Sequence, residues 1–568
     1  MKAFLRLLVL VLLSAGLFAG LSYRIIQLAY LDRAYYQGYL ESARRVREVR
    51  RASRGRILDR NGTVLAMMVP KIDLGIDPYA AETQDFAKLP QLSEILKIPE
   101  EDLKKFWTRE SRIVDNKVRH IRWKKITELT ELDAYEQVLA LKIKGIYGIT
   151  SAQRYYPNGA LASHVIGFVN KEGIAVSGIE AFMDPFLHGQ DGGMESKRDG
   201  RRQELPLFRE IDVLPQHGSD IQLTIDIRFH SAIERILSEA VERFHAQRGT
   251  VLVSDPSNGD LLVMCNYPTF EGEHYMKADV ANLRNCAVTD TYEPGSVFKI
   301  VPFSVALQDR VISLYDEFDC SSANFTWQGK TYTLPKDHTA LGKLSAIDVL
   351  RKSSNRGAAQ IGIRLGANAL YDAARAFGFG EKTGYGFDGE VAGILRSPKH
   401  WDGLTITRLP MGHAVSATAL QVHCAMGVIA SGGYLLSPQI VQKVLNSKGE
   451  IVIKTDPRVR RSVLTSDTVR QLRDILYHPD AKPSEIDGVR LAYKTGTTQK
   501  LVHGAYSQSH HISSCSGFFP AEAPKYLVTV VIDDARLASG STAYGSKVAF
   551  PIFCDVARWL LRRDLLND

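Results

Sequence analysis

Three spacings of apolar residues divide the chain. The first is an unbroken run near the start, "MKAFLRLLVLVLLSAGLFAGLSYRIIQLAY", in which Leu7 to Tyr23 carry no charge. Seventeen residues is the short end of a membrane-spanning helix, and Lys2 and Arg6 flank it with positive charge. A cleaved signal peptide is the rival reading, with Gly20-Leu21-Ser22 as its cleavage site. The apolar and aromatic pattern continues past the run in "IIQLAYL", which favours an uncleaved anchor. The second spacing is alternation. "RGRILDRNGTVLAMMV" predicts strand, Asn-Gly turn, strand, and "GTVLVSDPSNGDLLVMC" predicts a hairpin with a longer turn. Late strands are expected at "VRLAYKTG", "SCSGFFP" and "KYLVTVVIDD". The third is helical. "DIQLTIDIRFHSAIERILSEAVERFHAQ" reads as a strand entering an amphipathic helix, with Ile233, Ile236, Leu237 and Ala240 on one face.

Residues 80 to 145, rich in Leu, Lys and Glu, are expected to be mostly helical, and further helices are expected from about 294 to 380 and 415 to 431. "SAQRYYPNGALASHVIGFV" returns to turn and strand, and a Gly-rich loop follows it. The main boundary falls near Gly218. Three domains result: an anchor over 1–40, a non-catalytic module over 41–217, and a second module over 218–568. In the last, a hairpin first, helices in the middle and strands at the end predict an α+β fold whose early and late strands share one antiparallel sheet.

Composition changes this picture little. A chain of 568 residues with 45% hydrophobic and 24% charged residues is globular and multidomain. A net charge of +8 suits an anionic partner such as a lipid surface. The densest basic stretch, "ARRVREVRRASRGR", has seven Arg between Arg44 and Arg56. Nothing near it resembles a nucleic-acid module, so a solvated face or a lipid or membrane-partner contact is expected and no nucleic acid. The six cysteines are Cys265, Cys286, Cys320, Cys424, Cys515 and Cys554, none spaced C-x-x-C. Buried free thiols are expected, and no metal or other cofactor.

The candidate chemistry starts at "TYEPGSVFKIVPFSVAL". Pro294-Gly295 makes a turn, Ser296 stands at the mouth of a helix, and Lys299 lies on the same face at i+3. A Ser hydroxyl becomes nucleophilic when a base takes its proton, and a Lys serves once desolvation or a nearby cation lowers its pKa. Against this, Ser is a common helix cap and Lys a common surface residue. Ser296/Lys299 is the only S-x-x-K pair in the chain. Ser-Lys acyl-transfer sites add S-D-N and K-T-G elements. "RKSSNRGA" supplies Ser353, Ser354 in place of Asp, and Asn355, between two helical stretches. There Ser353 would relay a proton, and Asn355 would hold Lys299 and a substrate amide. A decoy S-x-N at Ser322-Ala323-Asn324 lies in a strand or loop region. Two Lys-Thr-Gly triads compete for the third element. Lys382 sits in the Gly-rich "FGFGEKTGYGFDGE", a loop. Lys494 ends "GVRLAYKTGTT", where Val489, Leu491 and Tyr493 alternate as a strand. Beyond it Thr495 and Thr497 face one side and suit a substrate carboxylate, and Gly496 admits a close substrate backbone.

"PGSVFK", "SSN" and "KTGTT" in this order resemble a penicillin-binding protein. "RGRILDRNG", "RYYP", "GIEAFMDPFLHGQDG", "NCAVTDTYEPGS", "GFGFGEKTG", "GEVAGIL" and "YGSKVAFPIF" extend the likeness to class B members, from the anchor to near Trp559. The resemblance implies a serine β-lactamase-like transpeptidase domain of α+β type behind an elongated pedestal and one transmembrane helix. It assigns catalytic roles to Ser296, Lys299, Ser353, Asn355 and Lys494, and substrate binding to Thr495, Gly496 and Thr497. It implies peptidoglycan stem peptides and β-lactams as ligands. It further implies a SEDS-type membrane glycan polymerase and other division proteins as partners, and a single-pass place in the bacterial inner membrane with the catalytic domain outside. Tyr-Glu-Pro-Gly-Ser rather than Tyr-Pro-Pro-Gly-Ser leans toward the division-type, septal enzyme. An elongation-type enzyme, a D,D-carboxypeptidase, a β-lactamase and a β-lactam sensor or silent scaffold are the alternatives. Two departures stand out: Ala414 where relatives usually carry Gly, and Val297 where Thr is common.

Overall fold

Strands buried on both faces build the central sheet. In the computed structural model, which describes all residues except 115, 116, 130, 131, 200–203, 388, 503 and 568, the chain divides into two compact units.

The first unit comprises Met1–Arg54 and His188–Gly218. Its helix α1 (Lys2–Ile26) runs into a π-helical turn at Gln27–Leu31, and this 30-residue span holds an 18-residue stretch of mean hydropathy 2.3, long and apolar enough to cross a membrane. A second helix, Arg33–Arg44, leads into the strand Arg45–Arg50, which pairs antiparallel with Gly192–Arg198. The first part of the Arg-rich stretch is therefore an edge strand with a largely exposed, solvated face on which some of the charges are paired. Arg45 and Arg47 both reach Glu195, and Arg50 meets Asp212 at 2.7 Å.

The second unit comprises Gly55–Leu187 and Ser219–Asp568. The Asn-Gly hairpin is present: Ile57–Leu58 pairs antiparallel with Val64–Ile76, and the Asp59 carboxylate caps the turn by accepting from the backbone of Asn61 and Thr63, each at 2.8 Å. Residues 80 to 145 depart from expectation. Besides the helices Leu89–Leu96, Glu100–Phe106 and Leu132–Ala140, they hold a hairpin, Ser111–Val114 with Lys117–His120, and a strand, Lys124–Leu129. The Leu, Lys and Glu content that suggests helix also fits strands with exposed, charged faces. The strand Asp220–Leu223, beside the boundary expected near Gly218, pairs parallel with Ile57–Leu58 and antiparallel with Val441–Leu445.

Beyond it lie α2 (Ile227–Arg243), β1 (Arg248–Ser254) and β2 (Leu261–Tyr267), then α3 (Ile300–Gln308), entered through a 3-10 turn at Gly295–Lys299, and α4 (Asn355–Leu365). Strands β3 (Ala492–Val502), β4 (Ala505–Phe519) and β5 (Tyr526–Asp533) and helix α5 (Ala549–Asn567) close the chain. The antiparallel sheet has the order β2-β1-β5-β4-β3, so early and late strands share it and β3 is an edge. Val251, Val253, Val528 and Val530 pack on one face with Ile233 and Leu237 of α2 and Ile552 and Phe553 of α5. Leu252, Leu527 and Phe518 belong to the other face and to the core that holds Phe298 of the 3-10 turn and Val301 and Phe303 of α3. Both faces of the sheet are thus covered, which holds β3 at a fixed height against α3. Between α3 and α4 the expected helices are interrupted by short hairpins, among them Asn324–Trp327 with Lys330–Thr333.

Candidate active site

Local backbone chemistry places each candidate residue. Pro294 and Gly295 open the turn, and Gly295 takes φ +54; a Cβ there would meet Thr498 Cγ2 at 2.7 Å. The missing side chain lets the turn bearing Ser296 lie directly on β3. Lys299 follows one turn later, 2% exposed, inside the apolar core. Its ammonium donates to Asn355 Oδ1 at 2.8 Å, to the Ser353 carbonyl at 2.5 Å and to Ser353 Oγ at 3.2 Å. Ser353 ends the link between the helix Ala346–Arg351 and α4 in a left-handed conformation, φ +58. That turn sends both its hydroxyl and its carbonyl toward the lysine.

Lys494, on β3 and 3% exposed, donates to the same Ser353 Oγ at 2.9 Å. One hydroxyl therefore bridges two buried ammonium groups. Burial, and then the charge of Lys494, pushes Lys299 well below the usual lysine value, with Asp337 opposing the shift. Burial brings Lys494 down to about 8. A desolvated lysine of lowered pKa beside a serine hydroxyl is equipped to take a proton, and a second that keeps its charge near neutral pH is equipped to hold an anion.

Ser296, Asn355 and Thr497 open together onto a cleft of about 770 Å³, whose walls include His338, His413 and Tyr544. Thr497 Oγ1 accepts from the Gly545 backbone at 2.8 Å, and its own proton remains to donate. Thr495 lies two residues back on the same strand. Gly496 is closely packed within the chain: a Cβ would meet Ser514 Oγ at 2.6 Å, the Pro294 carbonyl at 2.9 Å and Val297 Cγ2 at 3.0 Å. Its bareness admits the turn that carries Ser296. The rival Lys382 is exposed on a loop, its carbonyl accepting from Arg460. The neighbouring Thr383 is buried against Glu390. The decoy Ser322 is spent on the carbonyl of Asn324. All six cysteines are free, four of them buried.

Two supporting residues stand outside the candidate set. Asp337 accepts from the backbone of Asn355 and from Ser354 Oγ at 2.9 Å, while the Lys336 carbonyl takes one proton of the Asn355 amide at 3.0 Å. Ser354 caps α4 by accepting from Gly357 at 3.0 Å. The residue that stands for Asp in the motif thus keeps the capping role, with a carboxylate brought in from a loop. Glu293 accepts from the Ala414 backbone at 2.9 Å and from Tyr506 at 3.1 Å, tying the nucleophile turn to the tip of the β3–β4 hairpin. "TYEPGS" marks this glutamate, but only as a family trait.

Known proteins agree with this architecture. The description "Penicillin binding protein transpeptidase domain" matches residues 249–558, and "Penicillin-binding Protein dimerisation domain" matches 49–223. The chain is 31% identical over 548 residues to the probable peptidoglycan D,D-transpeptidase PenA of Neisseria meningitidis, covering 95% of this chain and 89% of that one. It is 30% identical to stage V sporulation protein D of Bacillus subtilis (89% and 77%) and 27% identical to the peptidoglycan D,D-transpeptidase FtsI of Escherichia coli (94% and 88%). In fold it is similar to penicillin binding protein 3 of Mycobacterium tuberculosis complexed with ampicillin, at a TM-score of 0.67, 24% identity, and 91% and 96% coverage. With both domain types matched along most of its length, the chain belongs to the class B penicillin-binding proteins.

Proposed function

We propose that this chain is a membrane-anchored peptidoglycan D,D-transpeptidase that serves septal wall synthesis. The observation that carries the reading is the buried Lys299, held by Ser353 and Asn355, one helical turn from Ser296 and facing Lys494 across one hydroxyl. Ser296 Oγ passes its proton to Lys299 and bonds to the carbonyl carbon of the penultimate D-Ala of a stem peptide. The backbone N–H groups of Ser296 and Thr497 take the oxyanion. The C–N bond to the terminal D-Ala breaks, and that amine leaves with a proton relayed through Ser353. An amine of a neighbouring stem peptide then attacks the ester, forming the cross-link and returning the proton to Ser296. With water as the acceptor, the same steps make the site a D,D-carboxypeptidase. Lys494, Thr495 and Thr497 hold the substrate carboxylate. A β-lactam enters as substrate and stays on Ser296.

The anchor over 1–40 holds the chain in the inner membrane, the module over 41–217 acts as the pedestal, and the domain over 218–568 works outside the membrane. A SEDS-type glycan polymerase and other division proteins are the partners. The septal role is supported by Tyr292-Glu293-Pro294-Gly295-Ser296 and by the likeness to FtsI. A fluorescent penicillin labels the full chain covalently, and Ser296→Ala abolishes the label; unchanged labelling rules out the nucleophile. Depletion in the native cell gives filaments without septa, whereas round cells assign the elongation role.

A further inference from the structure

Only Asp32 separates the apolar span, which ends at Leu31, from the helix Arg33–Arg44. That helix, RAYYQGYLESAR, is two-sided. At about 100° per residue, Tyr35, Tyr39, Tyr36 and Leu40 fall within an arc of roughly 140°. Arg33, Gln37, Glu41 and Arg44 fall on the other side. The apolar side is exposed: Tyr35 at 71%, Tyr39 at 65% and Leu40 at 50%. Tyr36, at 38%, meets the Tyr35 ring edge to face with centroids 5.3 Å apart.

Length puts that side at a membrane surface. As a helix, residues 7–26 rise about 30 Å, the thickness of a hydrocarbon layer. Arg24, close to the end of that run, donates to Gln27 Oε1 at 2.8 Å, so its charge turns toward the headgroups. On that scale Gln27–Leu31 spans the headgroup layer. An upright helix beyond it would carry Tyr39 and Leu40 more than about 10 Å further into water. A flat one keeps all four side chains in the layer where tyrosine is favoured, its ring apolar and its hydroxyl wet. Asp32, at φ −98 and ψ 6, breaks the helical run between the two segments. Arg33 and Arg44 end the helix with long cationic side chains suited to phosphate headgroups. Glu41, the one acidic residue of the helix, lies on the polar side.

We propose, resting on the reading of α1 as a membrane anchor, that the helix Arg33–Arg44 lies flat on the bilayer where α1 leaves it, with Tyr35, Tyr36, Tyr39 and Leu40 immersed in the lipid headgroup layer. The flat helix fixes the depth of the anchor, and it keeps the strand that begins at Arg45 close to the lipid surface. Hydropathy alone passes over this helix, because its polar side offsets the four apolar residues.

The test is spin labelling of the full chain in nanodiscs of phosphatidylethanolamine and phosphatidylglycerol. The label sits on Tyr36→Cys, Tyr39→Cys, Gln37→Cys or Glu41→Cys, with Cys286→Ser and Cys424→Ser removing the two partly exposed thiols. Oxygen concentrates in lipid and a charged nickel chelate stays in water, so the ratio of their collisions with the label reads immersion. That ratio is expected to be about tenfold higher for Tyr36→Cys and Tyr39→Cys than for Gln37→Cys and Glu41→Cys. Leu12→Cys, inside α1, reports on the span itself. Chelate access there refutes the anchor, and the flat helix falls with it. Lipid access there, with equal ratios on the two sides of the helix, overturns the flat helix and leaves the anchor standing. An apolar side shielded from both reagents is covered by protein and also overturns it. A cooperative melt shows that each variant is folded, and Tyr35→Cys or Leu40→Cys replaces an apolar position whose variant does not melt cooperatively.

Discussion

Two lysines share one serine hydroxyl, and their burial sets when the site works. In the proposed mechanism Lys299 must be neutral to accept a proton, and Lys494 must be charged to hold a carboxylate. Acylation therefore rises with pH through the lowered value of Lys299 and falls again as pH passes about 8, where Lys494 loses its proton. The rate of β-lactam acylation against pH is expected to be bell-shaped with its alkaline limb near that value. Lys494→Ala reduces acylation by about 10²–10³, whereas Lys382→Ala, on an exposed loop, leaves it unchanged; the reverse result exchanges the two triads. Asp337 acts through its neighbours. It fixes the backbone of Asn355, and its charge holds Lys299 up. Asp337→Asn is expected to lower the maximal acylation rate by about 10–100-fold through misplaced groups. The same change shifts the acid limb of the profile to lower pH, because Lys299 then loses its proton earlier. A loss of rate without that shift assigns Asp337 a purely structural part. The motif residues were legible because their types and order are unusual. Asp337 was not, because one aspartate in a polar loop resembles any other until the fold brings it under α4.

At the scale of elements, strands that bury both faces were legible as bounded apolar runs, and strands that bury neither were not. β1, β2 and β5 read clearly because their apolar runs are bounded by turn residues. The hairpin Ser111–Val114 with Lys117–His120 did not, because its exposed, charged residues carry no period-two signal. Gly496 was legible as a place of close approach but not as to what approaches, since only the tertiary packing puts Pro294 and Val297 above it. Ala414 has a physical reading as well. Its φ is +62, a left-handed conformation that favours glycine, so the departure from relatives carries strain. Ala414→Gly is expected to stabilise the chain by up to about 1 kcal/mol, read as a higher thermal midpoint.

At the scale of the whole molecule, the non-catalytic region is held by a buried ion pair that no pattern announces. Arg154 Nε meets Glu180 Oε1 at 2.6 Å with both side chains almost fully buried, and Arg154 also donates to the Gly55 carbonyl at 2.7 Å. Removing one partner strands the other charge. Glu180→Gln is expected to cost about 3–5 kcal/mol, visible as a lowered denaturation midpoint with Ser296 acylation intact in the folded fraction.

The strand Asp220–Leu223 adds a mechanical consequence. It runs parallel to Ile57–Leu58 on one side, and the chain leaves Ile57 toward the N-terminus and Leu223 toward the catalytic sheet. Tension applied between the N-terminus and the transpeptidase domain pulls these two strands in opposite directions along their length. Parallel strands loaded this way resist in shear, so their hydrogen bonds carry the force together and break together. An antiparallel pair pulled from one end would open like a zip, one bond at a time. The junction is a tensile coupling between the N-terminal part of the chain and its transpeptidase domain.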